Sequence, residues 1–277
     1  LNPFSPRQLI AVVQGVASVT LFLNIIAVWK QEARNPNTST KEHAKGFKVT
    51  WQKFTQDPKV KRFLIMLGLG TAAFSMQDII LEPYGGEVLH LSVAQTSFLT
   101  AIMSGGAIVA FALAARWLNK EMNPYRLTSI ALLIGLIAFV MIIFADPMES
   151  PLIFRIGTAL VGFGGGLFSV STLIIAMQLD SLAMAGLTIG AWGAVNTTAS
   201  GIAIFLGGFI RDGITNLAMK GALGEALMSP SIGYSFVYHI EIYLLFATLV
   251  ALGPLVMYQA REIQRRNLKF GLAELPV

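Results

Sequence analysis

The sequence predicts an all-α integral membrane protein, and three observations carry that reading. Of 277 residues, 55% are hydrophobic and only 13% are charged, where an ordinary soluble domain carries roughly 25% charge. Mean hydropathy is +0.66. The apolar residues also gather into continuous runs of span length, without the dyad alternation of a membrane barrel. In lipid every backbone N–H and C=O must be satisfied inside its own segment, which makes helices the good solution. The absence of cysteine excludes disulfides, a thiolate nucleophile and cysteine metal sites. The formal charge of +5 is no nucleic-acid footprint, because the basic residues cluster in loops beside spans.

A span needs about 20 apolar residues at a rise of about 1.5 Å each. Seven runs qualify: 9–29, 63–81, 96–118, 127–144, 152–177, 187–210 and 234–258. The organisation expected is a first transmembrane helix (1–29), a basic cytoplasmic loop (30–62), six further spans (63–258) and a cytoplasmic tail (259–277). In the loop, the stretch RNPNTSTKEH is turn-rich, so no regular element is expected there. Residues 50–57 read either as part of a solvated basic linker that favours anionic lipid or as a short surface helix with Trp51 and Phe54 turned to the membrane. Between the last two spans, NLAMKGALGEALM reads as a separate short amphipathic helix.

Charge sets the orientation. The loop carries Lys30, Arg34, Lys41, Lys45, Lys48, Lys53, Lys59, Lys61 and Arg62, and the tail carries Arg261, Arg265, Arg266 and Lys269. The positive-inside rule places both in the cytoplasm. Trp29, Trp117, Tyr125 and Tyr258 then fall at the inner interface and Tyr84 and Tyr234 at the outer one, as aromatic belts require.

Lipid offers helices no hydrophobic reason to associate, so small residues should mark their contacts. Gly106 begins a small-xxx-small row in the third span, Gly162 and Gly166 form one in the fifth, and Gly190, Gly193 and Gly201 lie on two rows in the sixth. A second reading stays open, in which the thin helices make room for a flat ligand.

The polar side chains inside the spans are the candidate site. Ionisable groups in a membrane are expensive and functional by default. Gln77, Asp78 and Glu82 close the second span, Arg155 opens the fifth, Asn196 lies mid-way along the sixth, and His239 and Glu241 open the seventh. All the charged ones fall in the outer half. Asp78 and Glu82, four residues apart, share a helical face, and Arg155 is expected to pair with one of them. His239 is a candidate ligand for the magnesium of a chlorin, or else hydrogen-bonds a neighbour. No other metal site is expected, and nothing has the spacing of a catalytic triad or phosphate loop.

One span, a long basic loop and six more spans match the second half of a major facilitator-like bundle, preceded by the last helix of its first half. The chain begins at Leu1 and is expected to be part of a longer protein. Two stretches then carry a closer resemblance: QDIILEPYGGEVLHLSV at 77–93 and GLTIGAWGAVNTTASGIAIFLGGFIRD at 186–212. They resemble the PucC/LhaA family, the bacteriochlorophyll delivery family of major-facilitator-like proteins in phototrophic bacteria. The usual facilitator loop signature is degraded here to ARWLNKEMNPYR. The resemblance implies a non-enzymatic assembly factor for photosynthetic light-harvesting antenna complexes. It would sit in the bacterial inner membrane, cytoplasmic or intracytoplasmic, and handle bacteriochlorophyll, antenna polypeptides or both. Its implied partners are the lipid bilayer, antenna polypeptides, bacteriochlorophyll and the reaction centre. Two alternatives stand beside it: a secondary transporter of the major facilitator type, and a structural subunit bound to an antenna or reaction-centre complex.

Overall fold

The chain is described by a computed structural model over residues 6–29, 47–179 and 185–270. Among these residues there are helices and no strand, as a chain that must satisfy its backbone in lipid requires. Two compact units are present, Leu1–Thr50 and Trp51–Val277. The first holds α1 (Pro6–Trp29), 24 residues with no acidic residue in its first turn and no basic one in its last. The turn-rich part of the basic loop expected around RNPNTSTKEH lies outside the described residues, as does the end of the tail.

The second unit opens within α2 (Phe47–Gln56). It continues through α3 (Pro58–Ser75), a 3-10 turn (Met76–Ile79), α4 (Leu81–Glu87), α5 (Val93–Asn119), α6 (Pro124–Ala145), α7 (Pro151–Gln178), α8 (Ala185–Met219) and α9 (Ser231–Phe270). Six segments are long and apolar enough to cross a membrane: Pro58–Glu87, Val93–Asn119, Pro124–Ala145, Pro151–Gln178, Gly186–Met219 and Ser231–Met257. They correspond to the second to seventh expected spans.

Starts are written locally. Asp57, Asn123 and Ser150 each accept a backbone N–H of the first turn, with Pro58, Pro124 and Pro151 following at once. A proline there loses no helical hydrogen bond and arrives with its φ preset. Ser92 and Gln95 close a reciprocal capping box on α5, which satisfies two N–H groups that the helix leaves free.

Two short-helix expectations need correction. The helix near residue 50 exists, but Phe54 is turned inward, buried with Val60 and Ala191 and packed against Leu64, Leu179 and Leu187. Protein had an apolar recess to offer, so the ring left the membrane side. The separate amphipathic helix after the sixth span does not form. Instead α8 runs on to Met219, and only a single 3-10 turn, Glu225–Leu227, follows.

The core is aromatic and small-residue in turn. Phe74 meets Phe139 and Phe168 at ring distances of 6.4 and 5.7 Å. Tyr84 and Tyr234, expected in an interfacial belt, are instead fully buried in this core. Tyr84 packs on Phe154, Tyr234 and Tyr238 at 5.2, 5.3 and 5.5 Å. Helices α5 and α8 are the least enclosed: 17% and 11% of their spans are buried, against 56% for those of α3 and α7. Their outward faces therefore carry exposed apolar side chains such as Phe98, Ile108, Ile202, Phe205 and Phe209.

The glycine rows divide accordingly. A Cβ on Gly106 would strike the Ala159 carbonyl, one on Gly162 the Met103 carbonyl, and one on Gly166 the Ala107 backbone. These three set the close crossing of α5 on α7, and the seam is filled by backbone, leaving no cleft there for a flat ligand. Gly190, Gly193 and Gly201 have nothing within 4 Å, because they lie on the open side of α8. The expectation that they pack helices together is wrong for the described bundle. Close approach on α8 is made instead by Gly207, where a Cβ would meet the Met76 carbonyl.

Substituting Gly162→Ala is expected to cost about 1–3 kcal/mol through overpacking at a rigid backbone contact, read as a lower unfolding midpoint in detergent. Gly193→Ala is expected to leave that midpoint within error or slightly raised, since the methyl meets open space.

Candidate functional site

The site begins where α3 stops. The α-helix does not run unbroken through the apolar segment Pro58–Glu87, since α3 ends at Ser75. The Met76 N–H still reaches Ala72, but the chain then tightens through the 3-10 turn, with the Ile80 N–H donating to Gln77 and the Tyr84 N–H to Ile80. A break inside a span is tolerated only where protein covers it. Here α8 covers one side through Gly207, and α9 packs on the turn from another.

The break rotates its polar residues apart. Gln77 is buried, and its amide nitrogen donates to the Phe74 carbonyl at 3.3 Å and to Asp78 Oδ1 at 2.5 Å, with Met103 Sδ at 3.6 Å. Its Oε1 is buried without a hydrogen-bond partner. Asp78 is turned to the exposed side. Glu82 follows in α4 and accepts from the Thr100 hydroxyl at 2.6 Å, tying α4 to α5. Asp78 and Glu82 thus do not share one continuous helical face, since a 3-10 turn and the Ile80 junction lie between them.

Glu241 comes to this break from α9. It is fully buried, on the inward stripe of α9 with Tyr234, Val237, Tyr238, Leu245 and Thr248. The Gln77 backbone N–H faces its carboxyl group without reaching good hydrogen-bond geometry, and the Asp78 carboxylate is close enough to be felt there. Both of its carboxyl oxygens lack a hydrogen-bond partner, and so does the buried Tyr238 hydroxyl.

Toward the Glu87 end of α4 stands a network around one arginine, whose Nε alone is buried without a partner. Arg211 of α8 pairs with Glu87 of α4, donates to the Tyr234 hydroxyl, and holds its own neighbour Asp212 at 2.7 Å. The Tyr234 hydroxyl donates to the same Glu87 carboxylate at 2.7 Å. The guanidinium also lies 4.3 Å above the Tyr234 ring, a cation–π contact of about 0.5–2 kcal/mol. Three elements, α4, α8 and α9, are fastened by one arginine. The signal for it was in the sequence: Arg211 ends a span and needs a counter-ion. Glu87 was passed over because it falls beyond the apolar run, and Tyr234 because tyrosine at a span edge reads as a belt residue.

The remaining predicted residues do not converge. Among the described residues Arg155 forms no ion pair with Asp78 or Glu82. It lies half-buried on α7, and the clamp expected of it is made by Arg211. Asn196 accepts from the Thr71 hydroxyl at 2.8 Å, which joins α8 to α3 well before the break. His239 is exposed and its Nδ1 stands 2.6 Å from the Ser235 carbonyl of its own helix. Two residues along a helix is about 200° of rotation, so His239 and Glu241 face opposite ways. Of seven candidates, Gln77, Asp78 and Glu241 meet at the break, Glu82 is one turn away, and the other three are elsewhere.

A protein-family model described as PUCC protein matches residues 1–260. The chain is 41% identical over 281 residues to an uncharacterized protein of the puhA-bchM intergenic region of Rhodobacter capsulatus, covering 100% of this chain and 59% of that one. It is 41% identical over 257 residues to protein PucC of Cereibacter sphaeroides, covering 92% and 55%. A more distant similarity, 27% over 235 residues, covers 78% of the chain and 51% of the bacteriochlorophyll synthase 44.5 kDa chain of Rhodobacter capsulatus. The chain thus spans somewhat over half the length of these curated relatives. No solved structure matches.

The network predicts a graded response. Arg211→Ala removes a charged hydrogen-bond donor from Glu87 and is expected to cost about 1.5–3 kcal/mol, while Tyr234→Phe, which deletes one hydroxyl, should cost about 1 kcal/mol. Asp212→Asn, at a carboxylate 70% exposed, should be nearly silent. Unfolding midpoints of the three variants in one detergent check the order.

Proposed function

The chain belongs to the PucC family, and from that premise we propose that it is a non-enzymatic assembly factor for photosynthetic light-harvesting antenna complexes. It handles bacteriochlorophyll, antenna polypeptides or both in a bacterial inner membrane. The two signature stretches at 77–93 and 186–212 support this reading, and the distant likeness to a protein named as a bacteriochlorophyll synthase chain bears on its pigment side alone. We read the six long helices as the second half of a major facilitator-like parent. The lysine and arginine distribution supports a cytoplasmic C-terminus and, with it, a periplasmic position for the Arg211–Glu87 network. Antenna helices, and through them the reaction centre, are the partners this role calls for.

One observation carries the pigment side of the proposal. A backbone carbonyl only accepts, so the 2.6 Å contact between His239 Nδ1 and the Ser235 oxygen puts the ring proton on Nδ1. In the neutral ring that leaves the Nε2 lone pair available, on the outward stripe of α9 formed with Phe236, Tyr243, Phe246 and Val250. A neutral imidazole with its second nitrogen held by a carbonyl is the arrangement that metal-binding histidines use. Nε2 would supply an axial ligand to the magnesium of a chlorin, and the apolar stripe would lie against the macrocycle and its tail. Asp78, exposed beside the break and away from the His239 face, is a separate polar candidate. Secondary transport is the competing reading, and the buried Glu241 beside a broken span is what favours it.

The test is pigment recovery. Protein purified in mild detergent from a phototrophic host should carry bacteriochlorophyll, and His239→Leu should lose most of that absorbance while the unfolding midpoint stays put. Equal pigment in both rejects His239 as the ligand. Asp78→Ala is expected to lower antenna accumulation several-fold in the same host; antenna levels unchanged in that variant and on deletion of the whole protein would reject the assembly role.

A further inference from the structure

We propose that Glu241 and Gln77 form an interior site for a single monovalent cation, a proton or a sodium ion, at the break between α3 and α4. The argument starts from four buried oxygens on two packed elements, none with a hydrogen-bond partner: Gln77 Oε1, Glu241 Oε1 and Oε2, and the Tyr238 hydroxyl. Glu241 and Tyr238 are 0% exposed and Gln77 is 1% exposed. The Gln77 amide nitrogen is committed to Phe74 and Asp78, so its oxygen is the acceptor left over. Buried polar groups in proteins are otherwise almost always paired.

A carboxylate charge in this position has no counter-ion. No described lysine, arginine or histidine forms an ion pair with Glu241, and the nearby arginine, Arg211, is held by Glu87 and Asp212. An unpaired charge in such surroundings costs several kcal/mol, so a positive charge must travel with the side chain. The other ionisable groups facing it add none. They are Asp78 from the 3-10 turn and Tyr238 on α9 itself; behind Tyr238 stand Tyr84 from α4 and Tyr234, with the apolar Phe139 of α6 against its ring. The donor set is all hard oxygen, which suits a proton or sodium. A single buried carboxyl is too little charge for calcium, which takes six to eight oxygens and usually several carboxylates. Unwound backbone in a broken span is also where membrane proteins place coupling ions. This inference does not rest on the pigment reading, because His239 lies on the opposite face of α9.

The experiment is a stability titration of the purified protein. Ligand that binds only the folded form raises the unfolding midpoint with concentration. The wild-type midpoint is expected to rise as sodium replaces choline at fixed pH if the occupant is sodium. It should rise as pH falls at fixed choline if the occupant is a proton. Glu241→Gln, which keeps the shape and removes the charge, should abolish whichever response the wild type shows. A wild type that responds to neither, or a Glu241→Gln response equal to that of the wild type, overturns the site. Should that variant fail to accumulate, infrared difference spectra of Asp78→Asn protein between the same conditions replace it. A buried carboxyl band that shifts with sodium or pH supports the site, and one that stays fixed rejects it.

Discussion

The constraint on which this bundle depends is that a membrane supplies no hydrogen bonds. Every interruption of a helix must be closed by protein. Helix α3 stops after 18 residues of its 30-residue span, and the chain needs α8 and α9 to seal what it opens. Gly207 lets the α8 backbone come up against the Met76 carbonyl, and Gln77 turns its amide back onto Phe74. The break is what sends Asp78 outward and leaves Gln77 inside opposite Glu241. Continued as a regular helix, the same residues would have put Asp78 and Glu82 one turn apart on one face.

Around the break the bundle uses two kinds of contact. Between α5 and α7 the backbones meet directly, because Gly106, Gly162 and Gly166 carry no side chain to hold them off. Packing of this kind gains dispersion where hydrophobic burial offers nothing. At the Glu87 end the contact is polar and aromatic: Tyr84, Tyr234 and Tyr238 stack edge to face, and one guanidinium ties the cluster to Glu87. That end is specified by direction-dependent bonds, the α5–α7 seam by shape. The polar cluster beneath therefore sits under a rim that has little freedom to shift.

Much of this was legible beforehand. A run of about 20 apolar residues has one good solution in lipid, which is why all six spans of the second unit could be located, although α8 runs nine residues past its expected end. Gly106, Gly162 and Gly166 were legible as seams for a similar reason: small-xxx-small spacing repeats on one helix face. Gly190, Gly193 and Gly201 follow the same rule and lie open, because spacing identifies a thin face without identifying a neighbour. Depth along a span could be estimated by counting residues, so the collection of charges toward one end was visible. Rotation about the helix axis could not be counted across a break. Arg155 and Arg211 look alike at that level, yet only Arg211 meets a carboxylate.

By itself, then, the sequence determined the class of this protein, the location of the six long apolar segments of its second unit, its family, and the end of the bundle at which polar chemistry collects. Those properties follow from local composition and from the backbone's need for hydrogen bonds in lipid. Tertiary structure alone decided which polar side chains share an interior: Gln77 with Glu241, Glu87 with Arg211 and Tyr234, and His239 with none of them. The physical reason is angular. Where a helix breaks, or where two residues on it stand about 200° apart, partners are chosen by how neighbouring helices pack, and no single stretch of sequence contains that information.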